Sequence, residues 1–231
     1  MYKLETHMHT SQTSACASMT GEEQARRYKS LGYDGIIITD HFFNGNCYQH
    51  IKDCGDWETK VNMFTAGYEA AKAEGDRIGL DVFFGLEYCY CGADLLTYGI
   101  DKQWLIDHPE CIEADVFDYC DMIHQAGGAI VHAHPFRQAG YLREIRLVPD
   151  KIDGVEVYNG GNAHMVYNDR AKFYAESFGF TMTGGSDSHH IYDNKLSGVL
   201  LSGNPKSIGD YVFDILNDNI SGVIYPEDLN Y

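Results

Sequence analysis

Residues 35–41 read Gly35-Ile36-Ile37-Ile38-Thr39-Asp40-His41, and the fold turns on this stretch. Its unbroken β-branched run fits a strand buried on both faces, as in sheets covered by helices; a half-solvated strand would alternate. An acid and a histidine follow where the apolar run stops, so polar chemistry stands at the strand's C-terminal end. Just upstream, Thr20-Gly21-Glu22-Glu23 fits a capping box, in which Thr20 and Glu23 each satisfy the other's backbone N–H. Ala25, Tyr28 and Leu31 follow at helical spacing, and Gly32 supplies the stop. A short strand from Lys3 to about Met8 precedes that helix.

The same alternation continues downstream. Val61 to about Arg77 reads as one Ala-rich helix leading into the strand Val82–Leu86, with a further short strand at Leu95–Tyr98. Glu113–Gln125 is helical, stops at Gly127-Gly128, and is followed at once by the strand Ala129–Val131. Val155–Tyr158 is a strand, Ala163 to Phe178 a helix ending at Gly179, and Phe180–Thr183 and Gly198–Leu201 are strands. Pro205 fits the start of a helix running to about Asn217. About seven or eight strand–helix units suit a (β/α) barrel, whose length is typically ~250 residues; a doubly wound open sheet is the alternative. No repeat, low-complexity tract or linker divides residues 1–231, so a single domain is expected.

Composition narrows the function classes. A formal charge of −17, from 34 Asp plus Glu against 17 Lys plus Arg, argues against nucleic-acid phosphates and anionic membranes as partners. A hydrophobic share of 44% supports a sizeable core and excludes bulk disorder. The N-terminus lacks the apolar segment of a signal peptide, and no 18-residue apolar run occurs, which points to a cytoplasmic protein. The seven cysteines are odd in number and form no CxxC pair, so reduced thiols are expected. Strand alternation would point Cys89 and Cys91 the same way.

Histidines and carboxylates gather at the expected strand ends: His7 and His9, Asp40 and His41, Glu87, His132 and His134, Asn159, then Asp187 and His189. In a closed parallel barrel these ends converge on one rim, where active sites are found. One histidine at a strand end is more often a surface or capping residue than a ligand. Two His-x-His pairs and an Asp-x-His, all after apolar strands, are harder to explain that way, because residues i and i+2 share a face. Several imidazoles on one rim would repel when protonated, and a metal resolves this by holding them neutral beside ionised carboxylates. His50, His108, His124 and His164 fall in loops or helices without such company, and His190 reads as a solvated loop residue.

His7-x-His9-Thr10, Thr39-Asp40-His41, Glu87, His134-Pro135 and Gly185-Ser186-Asp187-Ser188-His189 together resemble the PHP (polymerase and histidinol phosphatase) superfamily, in its motif order and across most of the chain. The resemblance implies a distorted seven-stranded, TIM-like (β/α) barrel with two or three divalent ions at the C-terminal rim. It also implies hydrolysis of a phosphate ester by water activated on those ions. One ion would take His7, His9, Glu87 and Asp187; a second would share Glu87 and take His134; a third would take His41 and His189. Two positions depart from the pattern. Ala15 stands near where many relatives carry a further ligand, with Cys16 beside it, and Asp94 occupies the neighbourhood of a usual histidine and is the candidate substitute. His132 is an extra histidine which, by alternation, would point the same way as His134 and support a ligand or face substrate.

Imidazole and carboxylate donors suit zinc, manganese or iron better than calcium or magnesium. Arg137, just after His134-Pro135, can present a bidentate fork to phosphate; pairing with a nearby carboxylate is the equal alternative. Asp40 is placed to orient ligand imidazoles. The expected substrate is a small anionic phosphorylated metabolite, a phosphomonoester. The alternatives are a different metal-assisted hydrolysis on a similar barrel, which typically needs a Lys absent from these strand ends, and a metal-stabilised binding protein without turnover, which Ala15 favours.

Overall fold

The computed structural model describes residues 1–142 and 144–228. Nine strands form one sheet: β1 (Tyr2–Glu5), β2 (Gly35–Ile38), β3 (Asp81–Tyr90), β4 (Ala93–Tyr98), β5 (Ala129–Ala133), β6 (Gly154–Asn159), β7 (Thr181–Gly185), β8 (Gly198–Leu201) and β9 (Gly222–Ile224). The helices are α1 (Gly21–Ser30), α2 (Gln49–Asp53), α3 (Trp57–Phe64), α4 (Ala66–Ile78), α5 (Lys102–Asp107), α6 (Val116–Gln125), α7 (Met165–Phe178) and α8 (Ile208–Leu216). Among the described residues no helix is long and apolar enough to cross a membrane.

The sheet order is β7-β6-β5-β4-β3-β2-β1-β8-β9, so β1 to β7 follow one another around a curved sheet. Past its last strand residue the chain after β1 meets the chain after β7. Met8 bridges Ser188 in parallel, and Asp187 N donates to His7 O at 2.9 Å. The ring is thus drawn together at the C-terminal rim, while the antiparallel β8–β9 pair, joined through α8, sits beside β1 and β7 lower down. Among the described residues the strand count is therefore nine rather than seven, because this pair extends the barrel-like sheet.

Alternation places the core. Ile37 joins Leu4, Leu96, Tyr98 and Val131 on the inner side, where Tyr211, Val212 and Ile215 of α8 pack. Ile36 and Ile38 face outward against Ala25 and Tyr28 of α1 and Ala71 of α4. The capping box at Thr20 forms as expected, with Glu23 N donating to Thr20 Oγ1.

Several elements depart from the sequence expectation. β4 runs antiparallel to both neighbours, so β3 and β4 form a hairpin and not separate strand–helix units. Its turn places Cys91 at φ 46° and Gly92 at φ 98°, which takes Cys91 out of the strand and off the face of Cys89. All seven thiols are free. The expected 61–77 helix is two helices that meet at Thr65. Pro205 stands outside α8, whose capping box is made by Ser207 and Asp210.

Candidate metal centre

The backbone delivers His7 and His9 onto the rim as the chain leaves β1. Gly185 makes this possible: a Cβ there would lie 2.4 Å from His7 Cβ. Glu87 comes from β3, where Phe42 N donates to Glu87 O at 2.8 Å and holds the His41 segment alongside. His134 follows β5 and Asp187 follows β7, both in the left-handed region at φ 29° and 53°. Such positions cost on the order of 1–3 kcal/mol each for residues other than glycine and persist where the surroundings fix them.

The side chains converge. His134 Nε2 lies 3.1 Å and His7 Nε2 3.3 Å from Glu87 Oε1, while His9 Nε2 lies 3.2 Å and His7 Nε2 3.5 Å from Asp187 Oδ1. His41 Nδ1 stands 2.6 Å from Glu87 Oε2. The ring of His9 stacks between those of His41 and His189, with centroids 4.2 Å away on each side. Three interlocking donor groups result, each with ligand atoms within 4.8 Å of one another: His7, Glu87 and His134; His7, His9 and Asp187; His9, His41 and His189.

Hydrogen bonding fixes the tautomers. His7 Nδ1 donates to Glu156 Oε1 at 2.9 Å, leaving a lone pair on Nε2 when the ring is neutral. Ser14 gives its hydroxyl proton to Asp40 Oδ1, so it accepts from His9 Nδ1, and His9 Nε2 also holds a lone pair. These two Nε2 atoms face each other at 3.2 Å. Such an arrangement needs either a proton or a cation between them. His189 Nδ1 donates to Asp187 O at 2.8 Å, again freeing Nε2.

Charge points the same way. Glu5, Asp40, Glu87, Asp94, Glu156 and Asp187 are all buried around this rim, with Arg137 as the basic side chain among them. An excess of buried carboxylates is unstable without compensating cations. Burial favours a neutral Glu87 and Asp187, yet for Glu87 the imidazoles of His41 and His7, and for Asp187 His7 and Arg137, hold them well below the usual range. Burial also pushes Glu5 up to about 7 and Asp40 to about 6, against the hydrogen bonds they accept. His9 is pushed well down by burial and by its neighbours His41 and His189. Glu87 Oε2, fully buried, has no hydrogen-bond partner despite its proximity to His41. The donor set and this orphaned oxygen fit divalent cations.

Most of the expected site residues meet here. Asp94 Oδ2 lies 3.8 Å from His134 Nε2, at the edge of the cluster. Asp40 touches no imidazole; it binds Thr10 and Ser14, and acts on His9 through Ser14. Arg137 takes the carboxylate-pairing alternative. Nη2 pairs with Asp187 Oδ2 at 2.6 Å and Asn159 Oδ1 at 2.7 Å, and Nε with Asn162 Oδ1 at 3.0 Å, while the side chain lines the adjoining cavity. That cavity, about 580 Å³, is also bounded by Cys16, Asn46, Cys89 and Tyr141.

His132 does not reach the rim, contrary to the alternation argument. It lies on the outer face of β5 with its ring 6.4 Å from that of Tyr174 on α7, fully buried, and neither ring nitrogen has a partner. The reason is His134, whose left-handed backbone breaks the alternation and turns it inward. Two residues went unnoticed in the sequence. Glu156 supports His7, accepts from His134 N at 2.9 Å and accepts from Asn159 Nδ2 at 2.8 Å. Glu5 accepts from His7 N and Ser186 N, both at 2.9 Å. The signal for Glu156 was present: a carboxylate between Val155 and Val157, whose outward packing sends it into the barrel.

Comparison with known proteins agrees with this geometry. The family model described as PHP-associated matches residues 166–193, from α7 through Asp187 and His189. A two-domain Bacteroides vulgatus protein containing a predicted PHP-like metal-dependent phosphoesterase superposes with a TM-score of 0.72 at 16% identity, covering 97% of this chain and 64% of that one. The chain has the PHP fold. A lesion-specific endonuclease from Pyrococcus furiosus shares it, with a TM-score of 0.62 at 15% identity over 97% of this chain and 57% of that one. An uncharacterized protein of Methanocaldococcus jannaschii is 26% identical over 142 residues, 58% of this chain and 50% of its own length. The chain thus spans about half of that relative. The matched segment and the shared fold agree with the resemblance carried by the sequence motifs.

Proposed function

We propose that this chain is a metal-dependent phosphoesterase acting on small phosphorylated metabolites, with monoesters as the preferred class. The observation that supports it best is the trio of interlocking donor groups built on His7, His9 and Glu87, opening into a cavity of about 580 Å³ that Arg137 lines. His7, His9, Glu87 and Asp187 would hold one ion, His134 with Glu87 and Asp94 a second, and His41 with His189 a third where it binds. Zinc, manganese and iron suit these donors. When bound, such ions supply Lewis acidity at the phosphoryl oxygens and activate water near neutral pH.

The chain's own groups do the rest. Glu156 and Ser14 fix the two His-x-His imidazoles with Nε2 toward the rim. Arg137 lines the cavity with its guanidinium already aligned by Asn159 and Asn162, and in this reading it would meet a phosphoryl oxygen with little side-chain entropy left to lose. The cavity size lies in the range of small-ligand sites, about 300–1,000 Å³. Among the described residues its lining holds Arg137 and no lysine, which favours a metabolite over a nucleic-acid strand with many phosphates.

The test pairs elemental analysis with turnover on one preparation, using panels of phosphomonoesters, phosphodiesters, amides and single-stranded oligonucleotides. Turnover confined to monoesters, with metal content and rate both reduced by His9→Ala and Asp187→Ala, is expected. Metal-replete protein that cleaves only amides or oligonucleotides, or nothing, would refute the proposal.

A further inference from the structure

The outermost of the three donor groups is incomplete if its histidines are shared out. His9 presents one lone-pair nitrogen, Nε2, and that atom lies 3.2 Å from Asp187 Oδ1 and 3.5 Å from Glu87 Oε2, among the donors of the inner site. Once His9 serves there, the outer site retains His41 and His189 as its imidazoles. Ala15 offers no donor atom. Its neighbour does: the Cys16 thiol lines the same cavity, beside the side chains of His41 and His189.

We propose that Cys16 is a thiolate ligand to the outer ion, completing a site with His41 and His189. This rests on the metal-dependent reading above and extends it to a position where the family pattern fails.

Two structural facts support it beyond the presence of a thiol. Glu87 Oε2 is buried, lacks a hydrogen-bond partner and points to the same place, 2.6 Å from His41 Nδ1. The loop that carries Cys16 is also held in position: Ala15 N donates to Asn46 O at 2.9 Å, Ala17 N to Ser14 O at 3.0 Å and Thr13 Oγ1 to Phe64 O at 2.8 Å. The thiol is thus presented to two imidazoles by a backbone anchored on both sides. Three protein ligands with an open position is the pattern of catalytic zinc sites. On binding, the thiol gives its proton to solvent and the sulfur lone pair goes to the cation; no oxidant or reductant takes part. A sulfur donor biases this position toward zinc or ferrous iron and against manganese or magnesium. The remaining thiol of the cavity, Cys89, lies across the β3–β4 ladder from Asp94 instead and serves as the control.

X-ray absorption on the zinc-loaded full chain tests this directly. Wild type and Cys89→Ser should show a sulfur neighbour at about 2.3 Å. Cys16→Ser should lose it, together with about one zinc of the bound complement at equal folded content by circular dichroism. An independent measurement needs no variant: zinc loading should protect Cys16 from alkylation by iodoacetamide, and chelation should expose it, read by peptide mass spectrometry. Zinc bound with only nitrogen and oxygen neighbours, a sulfur shell that survives in Cys16→Ser, or alkylation of Cys16 indifferent to zinc would each overturn the proposal while leaving the phosphoesterase reading intact. A chain that retains no zinc at all overturns both.

Discussion

Replacing Glu156 by glutamine changes one atom and should cost the inner ions dearly. The Glu156 carboxylate accepts three N–H groups: His7 Nδ1 on Oε1, and His134 N and Asn159 Nδ2 on Oε2. Glutamine offers one oxygen and one NH₂. With its oxygen toward His7, the NH₂ meets two donors. With its oxygen toward His134 and Asn159, the NH₂ meets one, and His7 can relieve that clash by moving its proton to Nε2. The second orientation is the cheaper, but it removes the lone pair by which His7 would bind a cation. Loss of such a supporting carboxylate typically lowers metal affinity ~10–100-fold, which is about 1.4–2.8 kcal/mol. The assay is chelator competition on wild type, Glu156→Gln and Glu156→Asp near neutral pH, with bound metal counted at each chelator concentration. Ions that use His7 should be released early in Glu156→Gln, while one held by His41 and His189 follows the wild-type curve. Unchanged release of every ion would show that Glu156 does not set the His7 tautomer and would refute the reasoning.

His132→Leu should leave metal content and turnover unchanged and should be neutral or stabilising, because it removes two unpartnered ring nitrogens from an apolar setting. A buried polar group left unsatisfied costs about 1–3 kcal/mol, so a rise in the thermal midpoint is expected; loss of metal or of rate would contradict the outward placement. Glu5 gives a pH-dependent test on the metal-free chain. Its carboxyl is raised by burial from 4.5 to about 7, so the neutral form is favoured in the fold. Its contribution to stability is full below about pH 4.5 and fades as pH rises through about 7. Glu5→Gln mimics the neutral form, so denaturant titrations should show the variant gaining on wild type as pH rises across that window, by up to about 3 kcal/mol. Parallel stability curves across that range would exclude the effect.

Much of this was legible in the sequence, because the signals were local. The capping box before α1 and the apolar run of β2 needed only neighbouring residues, and the His-x-His pair after β1 did too. The donors gathered because parallel strands around a ring all end on one rim, so position along each strand becomes position in space. The β3–β4 hairpin was missed because Leu95–Tyr98 reads equally well as parallel or antiparallel: β4 is buried along its whole length and shows no alternation to distinguish them. Of the antiparallel β8–β9 pair, β8 was read as a strand and β9 was missed, since a three-residue strand such as Gly222–Ile224 carries too little pattern to register.

His132 and His134 show where pattern reasoning reaches its limit. On period alone both belong to the outer face with Ile130, since Ala129, Val131 and Ala133 pack inward. The structure keeps that rule for His132 and breaks it for His134 by placing one residue at φ 29°. Nothing in the identity of His134 announces a left-handed backbone; what fixes it lies elsewhere in the chain. His134 N donates to Glu156 Oε2 at 2.9 Å, and Arg137 N donates back to His134 O at 2.9 Å. The same carboxylate that orients His7 therefore also holds the turn that swings His134 toward Glu87. A single acid on β6 thus couples His7 of the first motif to His134 of the fourth, which is how Glu156, absent from the motif list, supports the inner site.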